Sequence, residues 1–199
     1  MNTTLIEWHY WPCIAYFQKI MKSDVISITS EDNFERTSFI NKCIIASANG
    51  PLTLRIPIKG GSRKKQKVKQ VEISYDTKWQ REHWYSIQSA YAKSAFFEYY
   101  ESEIQQCYLK KEEFLVEWNK AIVNWVLKTI NYNIILNEVS LDENEAFEKL
   151  NINPYNYTSF KTPKYYQLFE SKNGYLHNLS ILDLIMSVGP NTINLLKTV

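Results

Sequence analysis

Residues Thr3–Ile28, TTLIEWHYWPCIAYFQKIMKSDVISI, decide the fold class. Leu5, Ile6 and Trp8 mark a short β-prone run. After the HYWP turn, Ile14, Phe17, Gln18 and Met21 recur at helical spacing. Pro12 suits a first helical turn, where its missing N–H would be unpaired anyway. Val25–Ile28 then reads as a second strand. Strand, helix and strand in this order make a β-α-β unit, whose strands run parallel through a right-handed crossover. The unit places His9, Tyr10 and Trp11 at the strand-to-helix junction, the end at which open sheets bind ligands. No glycine-rich fingerprint accompanies them.

Next outward lies Asn33–Ile58, NFERTSFINKCIIASANGPLTLRIPI. It opens with a dense set of hydrogen-bonding and charged side chains that includes Asn33, Arg36, Asn41 and Lys42. Two apolar runs follow, separated by Ala48-Asn49-Gly50-Pro51. Asn-Gly between alternating apolar runs predicts a β-hairpin. Cys43–Ile58 thus reads as scaffold and Asn33–Lys42 as the wall of a site for a small polar ligand. Val68–Ser74 alternates and predicts a further strand. Residues 1–75 are the sheet-forming part of the domain.

Residues 76–199 read as its helical part. Asp76 or Thr77 caps a helix on which Trp79, His83, Trp84, Ile87 and Tyr91 share a face. Ser94–Phe97 interrupts that pattern and Glu98–Tyr108 resumes it. Lys110–Asn131 is the clearest helix, with Phe114, Leu115, Trp118, Ile122, Trp125 and Thr129 on its buried side. Ile134–Val139 reads as a strand. The acidic, then asparagine-rich Ser140–Lys161 reads as an irregular, mobile excursion. Ser180 followed by Asp183 has the spacing of a capping box, opening a helix that Gly189-Pro190 ends. The fold class is α/β: a mixed sheet built from the β-α-β unit and the β-hairpin, packed by aromatic-rich helices of the C-terminal half.

At 199 residues with 45% apolar content the chain can bury one sizeable core. Its 23 Lys and Arg against 21 Asp and Glu leave +2, too even a balance for a general nucleic-acid binder. Neither a secretory leader nor an apolar run approaching the ~18 residues of a membrane span is visible. Cys13, Cys43 and Cys107 are odd in number and widely spaced, which reads as reduced thiols of a cytoplasmic protein without zinc spacing. No cofactor motif is present. The basic run between Lys59 and Lys69, around Gly60-Gly61, is either a solvated loop or a wrap for an anionic ligand or phospholipid head group.

His9 and His83 are the candidate proton carriers, with Asp183 to orient one of them. Tyr10, Asn33, Arg36, Asn41, Lys42, Asn178 and Ser180 are candidate ligand-binding residues. Each has a structural alternative. For His9 it is a turn histidine bonded to backbone, for Tyr10 and His83 core packing, and for Asn178–Asp183 helix capping.

Three stretches also carry a resemblance: WHYWPCIAYFQKI through LTLRIPI, then WQREHWYSIQSAYAKSAFFEYY, then YYQLF-ESKNGYLHNLSILDLI-SVGP. Together they resemble the WbqC-like protein family, particularly its Bacteroidetes-type branch, over most of the chain. The family's Y-x-P turn matches Tyr10 and Pro12, and its acidic-Asn pair matches Asp32 and Asn33, which adds Asp32 to the ligand-binding candidates. Its Arg-Asn-Arg-Cys motif keeps Asn41 and Cys43 but has Ile40 and Lys42 in place of the arginines. Only Arg offers a planar fork to carboxylate or phosphate, so this departure weakens the implied anion site unless Arg36 compensates. The resemblance implies a role in O-antigen or other surface-polysaccharide synthesis, glycine transfer to sugars included.

Three functions fit these readings. One is a cytoplasmic transferase acting on a sugar or nucleotide-sugar intermediate; another is a non-catalytic binding partner in the same pathway. The third is electrostatic binding of nucleic acid or membrane by the basic loop. Convergence of His9, Asn33, Arg36, Asn41 and Asp183 on one cleft would support catalysis; if they scatter, an enzyme reading built on them is to be abandoned.

Overall fold

The computed structural model describes residues 3–61, 65–140 and 148–198. Strand β1 (Thr3–Glu7), helix α1 (Ile14–Lys22) and strand β2 (Val25–Thr29) form the expected β-α-β unit. The strands pair in parallel, from Thr3 opposite Val25 to Glu7 opposite Thr29. Both are buried along most of their length because a parallel sheet is covered on both faces. Polar groups inside it are matched, Thr4 Oγ1 meeting Ser23 Oγ at 2.7 Å. Pro12 precedes α1 instead of entering its first turn. The Ala15 N–H in that turn donates to Asn178 Oδ1 at 2.8 Å, so a distant asparagine caps the helix.

Strands β3 (Lys42–Ser47) and β4 (Gly50–Arg55) form the hairpin as a separate antiparallel pair, Lys42 opposite Arg55 and Ser47 opposite Gly50. The reversal runs through Ala48 and Asn49 at negative φ, with Gly50 at +100°, so the Asn-Gly pair does not make a mirror-image turn. Ser47 Oγ closes it, accepting from the Asn49 N–H and donating to the Gly50 carbonyl. Val68–Ser74 does not add a strand. Val68–Gln70 is a 3-10 turn, and single bridges at Ile58–Ile73 and Glu72–Phe114 replace a ladder.

Helices α2 (Trp79–Tyr91), α3 (Phe97–Leu109) and α4 (Leu115–Thr129) follow. The expected face of α2 is buried, Trp79, His83, Trp84, Ile87 and Tyr91 all lying in the core. Neither Asp76 nor Thr77 caps it; Lys78 holds that position, and Asp76 instead accepts from Ser74 Oγ. The α4 helix begins later than Lys110 because residues 110–113 run across Tyr75 and Ile73, whose Oη and N–H bond the Glu112 and Glu113 carbonyls. Strands β5 (Leu136–Glu138) and β6 (Glu148–Lys149) extend the parallel sheet to the order β5-β2-β1-β6.

A single turn α5 (Glu170–Asn173), helix α6 (Ile181–Val188) and helix α7 (Thr192–Lys197) complete the chain. Ser180 caps α6 by accepting from the Leu182 N–H. Asp183 does not close the capping box: its carboxylate turns inward to the Tyr165 hydroxyl at 2.7 Å. Gly189, at φ +54°, ends α6 as expected, and the Phe96 ring occupies the space a Cβ would need. Buried side chains from both halves form one continuous cluster.

Candidate ligand-binding site

Register in the hairpin puts two cations side by side. Lys42 and Arg55 are directly cross-strand, and Arg36 reaches the same place from the Glu35–Ser38 turn. With Thr37, Thr53 and Tyr155 they line a hollow of 460 Å³. Lys42 Nζ donates to the Arg36 carbonyl at 2.6 Å. Among the described residues, none of the three cations is in an ion pair with a carboxylate. Burial, and then repulsion from Arg55 and Arg36, pushes the Lys42 amine down to about 8. Like charges held together without a counter-charge favour an incoming anion, and two guanidinium forks suit phosphate or carboxylate.

A second hollow, of 330 Å³, opens on the other flank of the same turn, lined by Glu35, Ser38 and residues 149–153 together with Glu7. Glu7 ends β1 and Lys149 ends β6, so it lies at the carboxyl edge of the sheet, beside the strand from which the order runs both ways. Ligands in open parallel sheets collect at such points. Lys149 Nζ spans Glu7 (3.5 Å) and Asp32 (2.8 Å), and His9 Nε2 lies 3.9 Å from Glu7. Burial raises the Glu7 pKa, but His9 and Lys149 outweigh it and leave the carboxyl below its ordinary value.

The asparagine-rich stretch, expected as an irregular excursion, walls both hollows. It is irregular but cross-braced. Asn153 N–H donates to Asn156 Oδ1, Tyr155 N–H to Asn153 Oδ1, and Asn156 Nδ2 to the Asn151 carbonyl. Residues 141–147 of the acidic run lie outside the described residues, as do Arg63 and Lys64 of the basic loop. Of that loop, Lys59 pairs with Glu72 and Lys69 with Glu31.

The other candidates sit elsewhere. Tyr10 is fully buried, its hydroxyl 2.9 Å from His83 Nδ1 and 2.5 Å from the Tyr108 hydroxyl, which accepts from Trp11 Nε1 at 2.9 Å. His83 also bonds the Arg55 backbone, and burial pushes it down to about 4, so it is neutral at pH 7. Hydrogen bonds can therefore run in one direction, from Trp11 through Tyr108 and Tyr10 to His83. Trp11 holds φ +39° to reach this network. Asn178 Nδ2 donates to the Tyr157 carbonyl while its Oδ1 caps α1. Asn41 Nδ2 is bound to the Ile56 carbonyl, and Asn33 is exposed beside Lys67. Asp183 is buried, pushed up to about 6 by desolvation that Tyr165 and the nearby Tyr91 only partly offset. None of His83, Asn33, Asn41, Asn178, Ser180 and Asp183 lines either hollow. Arg36 and Lys42 are brought together, Asp32 and His9 stand beside the second hollow, and the rest are dispersed.

The sequence model of the WbqC-like protein family matches residues 9–141 and 137–195, nearly the whole chain. The chain belongs to the WbqC-like family. No curated protein and no solved structure matches it. In this WbqC-like chain Ile40, where an arginine was expected, is fully buried; its carbonyl accepts from Asn119 Nδ2 at 2.7 Å. The second guanidinium of the cationic hollow comes from Arg55, which motif reading missed. Hairpin register could have found it: pairing Ser47 with Gly50 across the turn carries Arg55 opposite Lys42. Glu7, Lys149 and Tyr155 were also missed, and only Glu7, at the end of a predicted strand, carried a usable signal.

Proposed function

We propose that the protein recognises an anionic sugar intermediate, a sugar phosphate or nucleotide-linked sugar, in surface-polysaccharide (O-antigen-like) synthesis. The observation that carries this reading is the cluster of Arg36, Lys42 and Arg55 around a 460 Å³ hollow, without a carboxylate partner among the described residues. The phosphate docks between the guanidinium groups, the hydroxyls of Thr37 and Thr53 meet sugar oxygens, and the exposed Tyr155 ring covers the sugar face. His9, Asn33, Arg36, Asn41 and Asp183 do not share a cleft, so no catalytic reading is built on them. Transfer onto that sugar, aminoacyl (glycine) transfer included, is the second reading, supported only by the adjoining hollow. There the Glu7 carboxylate, held charged by His9 and Lys149, accepts a hydrogen bond from an acceptor hydroxyl and orients it. His83 and Asp183 carry no part of it, since both are enclosed by the core.

Calorimetric titration with a hexose 1-phosphate, a uridine diphosphate sugar and the free hexose tests the reading. The two phosphorylated ligands bind and the free hexose does not. Arg36→Ala and Arg55→Ala, both at exposed positions, each weaken hexose 1-phosphate binding about tenfold or more. Equal binding of the neutral sugar, or unchanged hexose 1-phosphate affinity in both variants, would sink it.

A further inference from the structure

A third cavity, of 550 Å³, lies between the first turn of α2 and the end of α3, and shares no lining residue with the two hollows above. Three of its lining side chains, Lys78, Arg81 and Lys111, are cationic, and no Asp or Glu lines it. Among the described residues none of the three is in an ion pair. Aromatic rings make up much of the remainder. Arg81 stands over the Tyr85 ring at 5.2 Å and Lys111 over Tyr75 at 5.4 Å. Tyr85 remains half exposed at 49%. Gln105 extends from the α3 side, and Gln80 donates its Nε2 to the Tyr108 and Lys110 carbonyls, with no hydrogen bond to its Oε1 among the described residues.

We infer that this groove is a second binding site, for a nucleoside diphosphate. Each part of that ligand has a counterpart. A planar base stacks on an exposed tyrosine without sequence-specific contacts, as bases do on aromatic platforms. Amide side chains offer donors and acceptors to its edge. The diphosphate needs cations not already neutralised by a carboxylate, and among the described residues Lys78, Arg81 and Lys111 are in that condition. The volume lies within the range of small-molecule sites. An uncharged sugar would leave three cations uncompensated, and inorganic phosphate would leave the rings unused.

Calorimetry with uridine diphosphate, adenosine diphosphate, uridine and inorganic phosphate tests this on the full chain. At least one diphosphate binds, and uridine and phosphate each bind at least tenfold more weakly. Arg81→Ala, Lys111→Ala and Tyr85→Ala, all at exposed positions, each weaken diphosphate binding at least fivefold. Arg36→Ala and Arg55→Ala leave it within twofold, which separates this site from the cationic hollow. Absence of binding by both diphosphates overturns the inference. So does phosphate binding as tightly as either diphosphate, or binding lost with Arg36 and Arg55 and kept without Arg81 and Lys111.

Discussion

Asp183→Asn should stabilise the protein at neutral pH. The carboxyl lies in the core with the Tyr165 hydroxyl donating to it at 2.7 Å, and burial carries its pKa from 3.8 to about 6. A carboxyl whose folded value is raised favours folding only while it is protonated. Its contribution is therefore full below about 4, falls as the pH rises through the 4–6 window, and above 6 leaves a constant cost. That cost is about 3 kcal/mol. Asparagine keeps an acceptor for Tyr165 and brings an amide donor for Tyr91, whose hydroxyl is buried without a well-formed partner. The variant should gain about 1–3 kcal/mol at pH 8 and nothing at pH 4. Urea unfolding of both proteins at unit steps from pH 4 to 8 measures the difference, and subtraction removes His83, which titrates over the same range in both. A variant destabilised equally at every pH would refute the reasoning, and so would a flat difference of any sign.

Other outcomes follow from the same contacts. Tyr10→Phe strands His83 Nδ1 and the Tyr108 hydroxyl proton in the core, and should lower unfolding free energy by about 2–3 kcal/mol in urea titration. A loss below ~0.5 kcal/mol would mean the network is not formed. Gly189→Ala forces a side chain against the Phe96 ring at φ +54° and should cost more than ~1 kcal/mol by the same measurement. Because the Lys42 amine titrates near 8, hexose 1-phosphate affinity should fall about fivefold between pH 7 and 9. Lys42→Met should abolish that dependence; persistence of the slope in calorimetry would place its origin elsewhere.

Local pattern made the scaffold readable. The β-α-β unit declares itself by a change of period from 2 to 3.6 and back, and the α2 stripe by side chains that all reach the core. Val68–Ser74 misled because a 3-10 turn followed by bridges buries Val68, Val71 and Ile73, which passes for alternation. Strand β6, two residues long, is too short to leave any periodic trace. Within the site, Arg36 and Lys42 were legible as a charged cluster before a hairpin, and Arg55 was recoverable from register alone. How the buried His83 and Asp183 are bonded within the core left no trace in sequence. Their partners, Tyr10 and Tyr165, lie 73 and 18 residues away, so only tertiary packing reveals that their hydrogen bonds are taken up internally. The Asn178 cap on α1 is hidden for the same reason.

The most direct test of the anion-recognition claim is a crystal structure of the protein soaked with a hexose 1-phosphate. The phosphate should lie between Arg36, Lys42 and Arg55, with the sugar toward Thr53 and Tyr155. A phosphate bound elsewhere, with that hollow empty at saturating ligand, would contradict it.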